Sequence, residues 1–438
     1  MKLRIILSLC APVIVGLLLG CEARTDLTPP AGPSSVNTGT ASFARFVTIG
    51  NSLTAGYQSG SLYKSAQLYA YGNLIAQQVG STYAMPLYSD PGSPGRLEIQ
   101  ALTATGVTIY TNPNSGSPEN LLYPLPYNNL GIPGAFVYDV LKATDSTTCF
   151  SAIANPLAPV RNPLFNVVLR GSGTQYKQAK LQAPTMIILW IGNNDILGHA
   201  TAGGTVPFTP TANFAGLYSQ LADSIAALGA KVVVANIPDV TTIPFFTTIG
   251  PTLRSSGVPV VWGVRGGTLD TIPMNLTSNY LTLKAQDLLA VGYGQTKAKA
   301  LPNSVILDSA EVVAVKNTIA SYNATIAGIA AVKGFGLVNV NSIFTNIAQN
   351  GITENGISFT SAFVLGGLFS LDGVHPTSRG QGVLANEFIN VINSKFGASI
   401  PLVNVASIPS SLILKKGIGY DKFGLPKIPA GALDNLLF

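Results

Sequence analysis

The sequence predicts an α/β protein, a three-layer α/β/α sandwich around a central parallel sheet that carries insertions. Two observations point there. Short β-rich apolar runs alternate with segments of helical periodicity along most of the 438 residues. One run, Met186-Ile187-Ile188-Leu189-Trp190-Ile191-Gly192, is apolar almost without interruption, as expected of a parallel strand buried on both faces. A third observation excludes rivals: no repeat at the periods of roughly 20–50 residues that mark solenoids and propellers is present. Alternating strands and helices imply right-handed crossovers and a sheet covered on both faces. Sites in such sheets lie beyond the C-terminal strand ends, so a chemical motif should directly follow a strand.

The elements read as follows. Ala44 to Gly50 is a strand ending at glycine, and Leu68 to Val79 is a helix. After the strand at Met186, Phe214 to Leu228 has apolar spacing near 3.6 and reads as a helix. Lys231 to Pro238 is the next strand, Asp308 to Val332 contains a long helix, Gly336 to Asn341 is another strand, and Arg379 to Phe396 is the closing helix. Two stretches interrupt the alternation. Residues 91–126 are rich in Pro, Gly, Ser and Asn around Gly106-Val107-Thr108-Ile109-Tyr110, which suits a hairpin. Residues 245–302 form the longer insertion. Either stretch serves as a substrate-binding element or as surface decoration.

Composition narrows the function. Charged residues make up 10% and hydrophobic ones 47%, a combination unlike a disordered chain. The 25 Lys and Arg against 19 Asp and Glu give +6, or +4 once Lys2 and Arg4 are set aside. That balance is too weak and scattered for nucleic-acid binding. Two histidines and three cysteines nearly exclude a zinc site built from them, which needs three or four such ligands.

The first twenty residues read as a signal peptide: Lys2 and Arg4 precede an apolar stretch shorter than the ~20 residues a membrane span needs. Leu18-Leu19-Gly20-Cys21 resembles the lipobox of bacterial lipoproteins, which implies lipidation of Cys21. Residues 21–42, with Thr28-Pro29-Pro30-Ala31-Gly32-Pro33, read as a Pro-stiffened tether. The expected location is export with a lipid anchor in the cell envelope. The outer membrane is preferred, since Glu22 is not the aspartate associated with inner-membrane retention. Cys149 is then the only remaining cysteine and reads as a small buried hydrophobe.

Four stations carry chemistry. Gly50-Asn51-Ser52-Leu53-Thr54-Ala55-Gly56-Tyr57 begins where a strand ends, so Ser52 opens a helix, as a cap or as a nucleophile. Asn129-Leu130-Gly131-Ile132-Pro133-Gly134-Ala135 is a turn whose glycines can offer an unobstructed N–H. Gly192-Asn193-Asn194-Asp195 ends the strongest strand. An asparagine there either satisfies a turn or donates to a developing oxyanion. In Leu371-Asp372-Gly373-Val374-His375-Pro376, the carboxylate three residues before the histidine can hold Nδ1–H and leave Nε2 as a base.

Together and in this order, the four stations resemble the GDSL-type, or SGNH, hydrolase family, defined by a serine, a glycine, an asparagine and a histidine in four successive blocks. The resemblance runs from about Phe43 to Phe396. It implies a flavodoxin-like SGNH hydrolase domain over 43–398 and leaves 399–438 as an extension packed on it. It also implies Ser52 as nucleophile, His375 as general base and Asp372 as its orienting acid. The oxyanion hole would come from Ser52 N–H, Gly134 N–H and the Asn194 amide, with no metal and no organic cofactor. Asn51 departs from the family, where aspartate precedes the nucleophile; asparagine keeps an acceptor oxygen and similar size. Asp195 is expected to hold the Asn194 loop, and His199 to be solvent-exposed. The implied function is hydrolysis of carboxylic esters, lipase- or esterase-like. Carbohydrate O-deacetylation on the same fold and a non-catalytic glycan-binding lipoprotein are the alternatives. Phe245, Phe246, Val260 and Trp262 would suit an acyl chain if they line the cleft, and would otherwise form the insertion's core.

Overall fold

Five strands make the central sheet of the computed structural model, which describes residues 36–103, 106–124, 126–410 and 412–413. In chain order the main elements begin with β1 (Phe46–Gly50), α1 (Ser52–Ala55), α2 (Tyr71–Val79), β2 (Leu97–Thr103), β3 (Gly106–Thr111), β4 (Asn129–Gly131) and α3 (Val137–Lys142). They continue with α4 (Gln175–Leu181), β5 (Met186–Trp190), α5 (Asn194–Thr201), α6 (Thr211–Ala226), β6 (Lys231–Ala235), β7 (Val260–Val264) and β8 (Thr271–Asn275). The last are α7 (Ser309–Lys333), β9 (Gly336–Val338), α8 (Val340–Asn350) and α9 (Ser378–Phe396). The sheet order is β4-β1-β5-β6-β9, with every neighbouring pair parallel. From β1 the chain steps to one side for β4 and then to the other for β5. That reversal is the topological switch point, where loops diverge and open a crevice at the C-terminal strand ends.

The layers follow from side-chain chemistry. All five residues of β1 and of β5 are buried, because helices cover both faces. On one face α9 packs on α2: Phe388 stacks on Tyr71 at 4.7 Å and meets Trp190 of β5 edge-on at 6.0 Å. On the other face α6 and α7 pair through Phe214 and Tyr322, stacked at 3.8 Å. α7 starts on a reciprocal cap, in which Asp308 accepts from Ala310 N and Glu311 N while Glu311 accepts from Asp308 N. Phe388→Ala would open a fully buried aromatic site. We expect a loss of about 3–5 kcal/mol, read as a lower urea midpoint.

Some ends differ from the sequence reading. The strand expected over 231–238 stops at Ala235 and the one over 336–341 at Val338. Asn236 Nδ2 donates to Asn339 Oδ1, and Asn339 caps α8 by accepting from Ser342 N, so both chains leave the sheet on side-chain amides. The helix expected from Leu68 starts at Tyr71. The first insertion carries the antiparallel hairpin β2–β3, with a bulge between Ile99 and Ala101. The second carries the hairpin β7–β8 and its own apolar cluster, including Val261, Met274, Leu281 and Leu301. Past Ser399, Ile400, Val403, Val405 and Ile408 are buried, and Asn386 exchanges two hydrogen bonds with the Val403 backbone. Cys149 is buried and free.

The signal peptide expected over 1–20, the lipidation of Cys21, most of the tether to residue 42 and the extension beyond 413 lie outside the described residues. Among the described residues no helix is long and apolar enough to cross a membrane.

Candidate active site

The first station is the turn from β1 into α1. Asn51 caps α1 by accepting from Leu53 N at 3.1 Å, and its amide donates to Asn193 Oδ1 at 3.1 Å. An aspartate could not make that second bond as a donor, so asparagine at this position joins the first station to the third. Ser52 is the first helical residue, so its N–H has no partner within the helix. Its side chain is almost buried, at 7% exposure.

The fourth station reaches Ser52 from the far end of the chain. His375 Nε2 lies 2.9 Å from Ser52 Oγ, and His375 Nδ1 lies 2.9 Å from Asp372 Oδ2. A carboxylate only accepts, so Nδ1 carries the proton and Nε2 is left to accept from the serine hydroxyl. Asp372 is held by more than the ring. Its Oδ1 accepts from Val374 N at 2.9 Å, His375 N at 2.8 Å and Ser370 Oγ at 3.1 Å, and its Oδ2 accepts from Gly60 N at 2.9 Å. Burial by itself would raise this carboxyl; the His375 ring and the backbone donors outweigh it and bring it down to about 2. Gly373 makes the turn possible. Its φ is +70°, and a Cβ there would press into Leu283 and the Phe245 backbone.

The second and third stations are tied to each other. Asn194 Nδ2 donates to Ala135 O at 2.8 Å, which leaves its second amide hydrogen for another acceptor. Gly134, at φ +80°, sits exposed between Pro133 and Ala135, whose carbonyls are held by Asn162 and Asn194. Asp195 Oδ2 accepts from Val137 N at 3.0 Å and Oδ1 from Thr209 Oγ1 at 2.8 Å, clamping the start of α3 to the start of α5. Ser52, Asn194 and His375 border one small cavity, together with Leu53, Ile243 and Phe344. Phe245, Phe246, Val260 and Trp262 do not line it; Phe245 and Phe246 are buried in the insertion. Among the described residues no three His, Cys, Asp or Glu side chains are grouped as a metal site requires.

The sequence model of the GDSL-like lipase/acylhydrolase family matches residues 46–388, a span that contains all four stations. The chain belongs to this family. No curated protein sequence matches it significantly. Three solved structures illustrate its likenesses. One is an α/β hydrolase from the metagenome of Lake Arreo, Spain, at 13% identity and TM-score 0.36, covering 81% of this chain and 96% of that one. The second is a lipase/acylhydrolase from Enterococcus faecalis, at 11% identity and TM-score 0.33, covering 82% and 98%. The third is an extracellular lipase from Streptomyces rimosus, at 16% identity and TM-score 0.34, covering 80% and 98%.

Several neighbours of the site in this GDSL-like protein were not legible beforehand. The Tyr57 ring lies 4.8 Å from the His375 ring, and its hydroxyl donates to Gly60 O, whose own N–H binds Asp372. Burial, reinforced by Asp372, raises the Tyr57 phenol, so it stays protonated. Tyr57 falls five residues after Ser52, and that proximity was the available signal. Ser370 and Phe344 carried none. His199 is half-buried, contrary to the expected exposure: its Nδ1–H donates to Val206 O at 2.6 Å and its ring meets Phe208 edge-on.

Burial pushes Asp139 and Asp195 up to about 7 from the ordinary 3.8, against the pull of their hydrogen-bond donors. Below 3.8 both carboxyls are protonated whether the chain is folded or not. Between 3.8 and about 7 the unfolded chain ionises first, so stability drains away as pH rises through that window. Asp372 acts oppositely: its contribution is complete above 3.8 and is lost as pH falls toward 2. Denaturant midpoints are therefore expected to be higher at pH 5 than at pH 7.5. Asp195→Asn should narrow that gap; a midpoint that rises steadily from pH 5 to 7.5 contradicts the assignment.

Proposed function

We propose that this protein is a serine esterase, cleaving carboxylic esters with Ser52 as nucleophile, His375 as general base and Asp372 as the acid that orients it. The observation that carries the reading is the unbroken hydrogen-bond chain from Ser52 Oγ through both ring nitrogens of His375 to Asp372, at 2.9 Å in each link. In this reading Ser52 Oγ attacks the ester carbonyl while His375 Nε2 takes its proton. The oxyanion settles against Ser52 N–H, Gly134 N–H and the free hydrogen of the Asn194 amide. His375 then protonates the departing alcohol, and water, activated by the same ring, releases the acid and restores the serine. Asp372 holds Nδ1–H throughout and stabilises the transient imidazolium.

Loss of one oxyanion donor typically lowers kcat by about 10²–10³. Asn194→Ala is expected to fall in that range, with folding kept because Asp195 and Val137 still join α3 to α5. Steady-state kinetics on a short acyl ester, with circular dichroism of the variant, checks it. We also propose that Cys21 carries lipid and that the tether to residue 42 stands the domain off a membrane surface, the outer membrane by preference. The support is the sequence pattern Leu18-Leu19-Gly20-Cys21 followed by a Pro-rich run. Mass spectrometry of the protein from a lipoprotein-processing host, beside Cys21→Ser, tests it.

A further inference from the structure

We infer that the esterase site admits only short acyl groups, acetyl foremost, and that Phe344 and Ile243 set the limit. This rests on the serine esterase reading and adds the acyl class to it. The cavity bordering Ser52 and His375 measures about 30 Å³. A single water needs ~10–15 Å³ of such space. The room beside the nucleophile therefore takes a methyl, or at most an ethyl, and not an alkyl chain.

Its walls say what can sit there. Leu53, Leu197, Pro238, Val240, Ile243 and Phe344 are all apolar. The polar groups that border it are Ser52, His375, Asn194 and Asn193, of which the first three are assigned to the reaction and Asn193 accepts from Asn51 through its Oδ1. A hydroxylated or charged acyl group would exchange its hydrogen bonds to water for a mostly apolar wall.

The walls are also hard to move. Phe344, 5% exposed, packs edge-on against Phe369 at 5.6 Å, in the segment that leads to Asp372 and His375. Ile243 is 3% exposed, and two residues later Phe245 N donates to Gly373 O at 2.9 Å, which fastens this loop to the histidine turn. Displacing either wall would disturb the base itself, and close-packed interiors resist such shifts. A larger groove, about 810 Å³ between β3, the second insertion and residues 360–365, shares no lining residue with the cavity.

The test is a chain-length profile of kcat/KM on p-nitrophenyl acetate, butyrate and octanoate. One methylene too many in a fitted apolar pocket is worth ~10–200-fold. The wild type is thus expected to prefer acetate over butyrate by at least about tenfold, with octanoate lower still. Phe344→Ala is expected to raise the butyrate-to-acetate ratio by about tenfold or more. Phe344→Leu, which keeps a side chain against Phe369, should shift the ratio the same way by less and guards against a misfolded alanine variant. Equal turnover of octanoate and acetate by the wild type, or a profile unchanged in both variants, overturns the inference while leaving the esterase reading intact. Failure of every ester, with no fluorophosphonate label on Ser52, overturns both.

Discussion

Ser52→Ala is expected to cut ester turnover by about 10⁴-fold or more, because nucleophile and base act as one unit and loss of either removes most of the gain. The residual rate should come from the oxyanion donors and from binding alone. Folding should survive, since among the described residues the Ser52 hydroxyl makes its one hydrogen bond with His375, while the fastening of His375 to Asp372 does not depend on it. Purified wild type and variant, compared on a short acyl ester with denaturant midpoints alongside, give the result. Undiminished turnover by the alanine variant would refute the assignment of the nucleophile.

Asp372→Asn should be nearly as damaging, with a kcat loss of about 10⁴, and its signature is richer. Asp372 Oδ2 accepts from both Gly60 N and His375 Nδ1. An asparagine that points its NH₂ there faces two donors. If it points its oxygen there, the NH₂ faces Val374 N, His375 N and Ser370 Oγ on the other side. Either way one set of partners is lost. The imidazole can be accommodated by moving its proton to Nε2, which then donates to Ser52 and no longer serves as the base. The variant should also lose the stability that the ionised carboxylate contributes above pH 3.8. Its unfolding midpoint should therefore vary less than the wild type's between pH 4 and pH 2. A variant with native kcat and a native acid limb would remove Asp372 from the mechanism.

Much of the fold was legible because buried parallel strands announce themselves. Met186 to Trp190 is apolar throughout, and both faces of β5 are covered. The helices α6, α7 and α9 were read from periodicity and found with ends shifted by a few residues at most. The strand ends at Ala235 and Val338 were misjudged for one shared reason. Asn236 and Asn339 bond to each other, and such a pairing across more than a hundred residues leaves no trace in local pattern. Tyr57 and Asn51 sit beside the serine in sequence, yet their partners, His375 and Asn193, do not.

By itself the amino-acid sequence determined which chemistry is available. A serine, a glycine and an asparagine follow strand ends in that order, an Asp–His pair comes after them, and residue identity decides what can attack, donate or accept a proton. Only the tertiary structure decided that the serine, the asparagine and the Asp–His pair converge. The reversal of strand order between β1 and β5 brings the ends of both strands to one crevice, and the turn at Gly373 carries His375 back across more than three hundred residues to Ser52. The size of the space beside the serine was likewise a tertiary matter. Phe344 and Ile243 enter it from segments with no motif, and the volume left between packed side chains belongs to their mutual arrangement, which no single stretch of chain encodes.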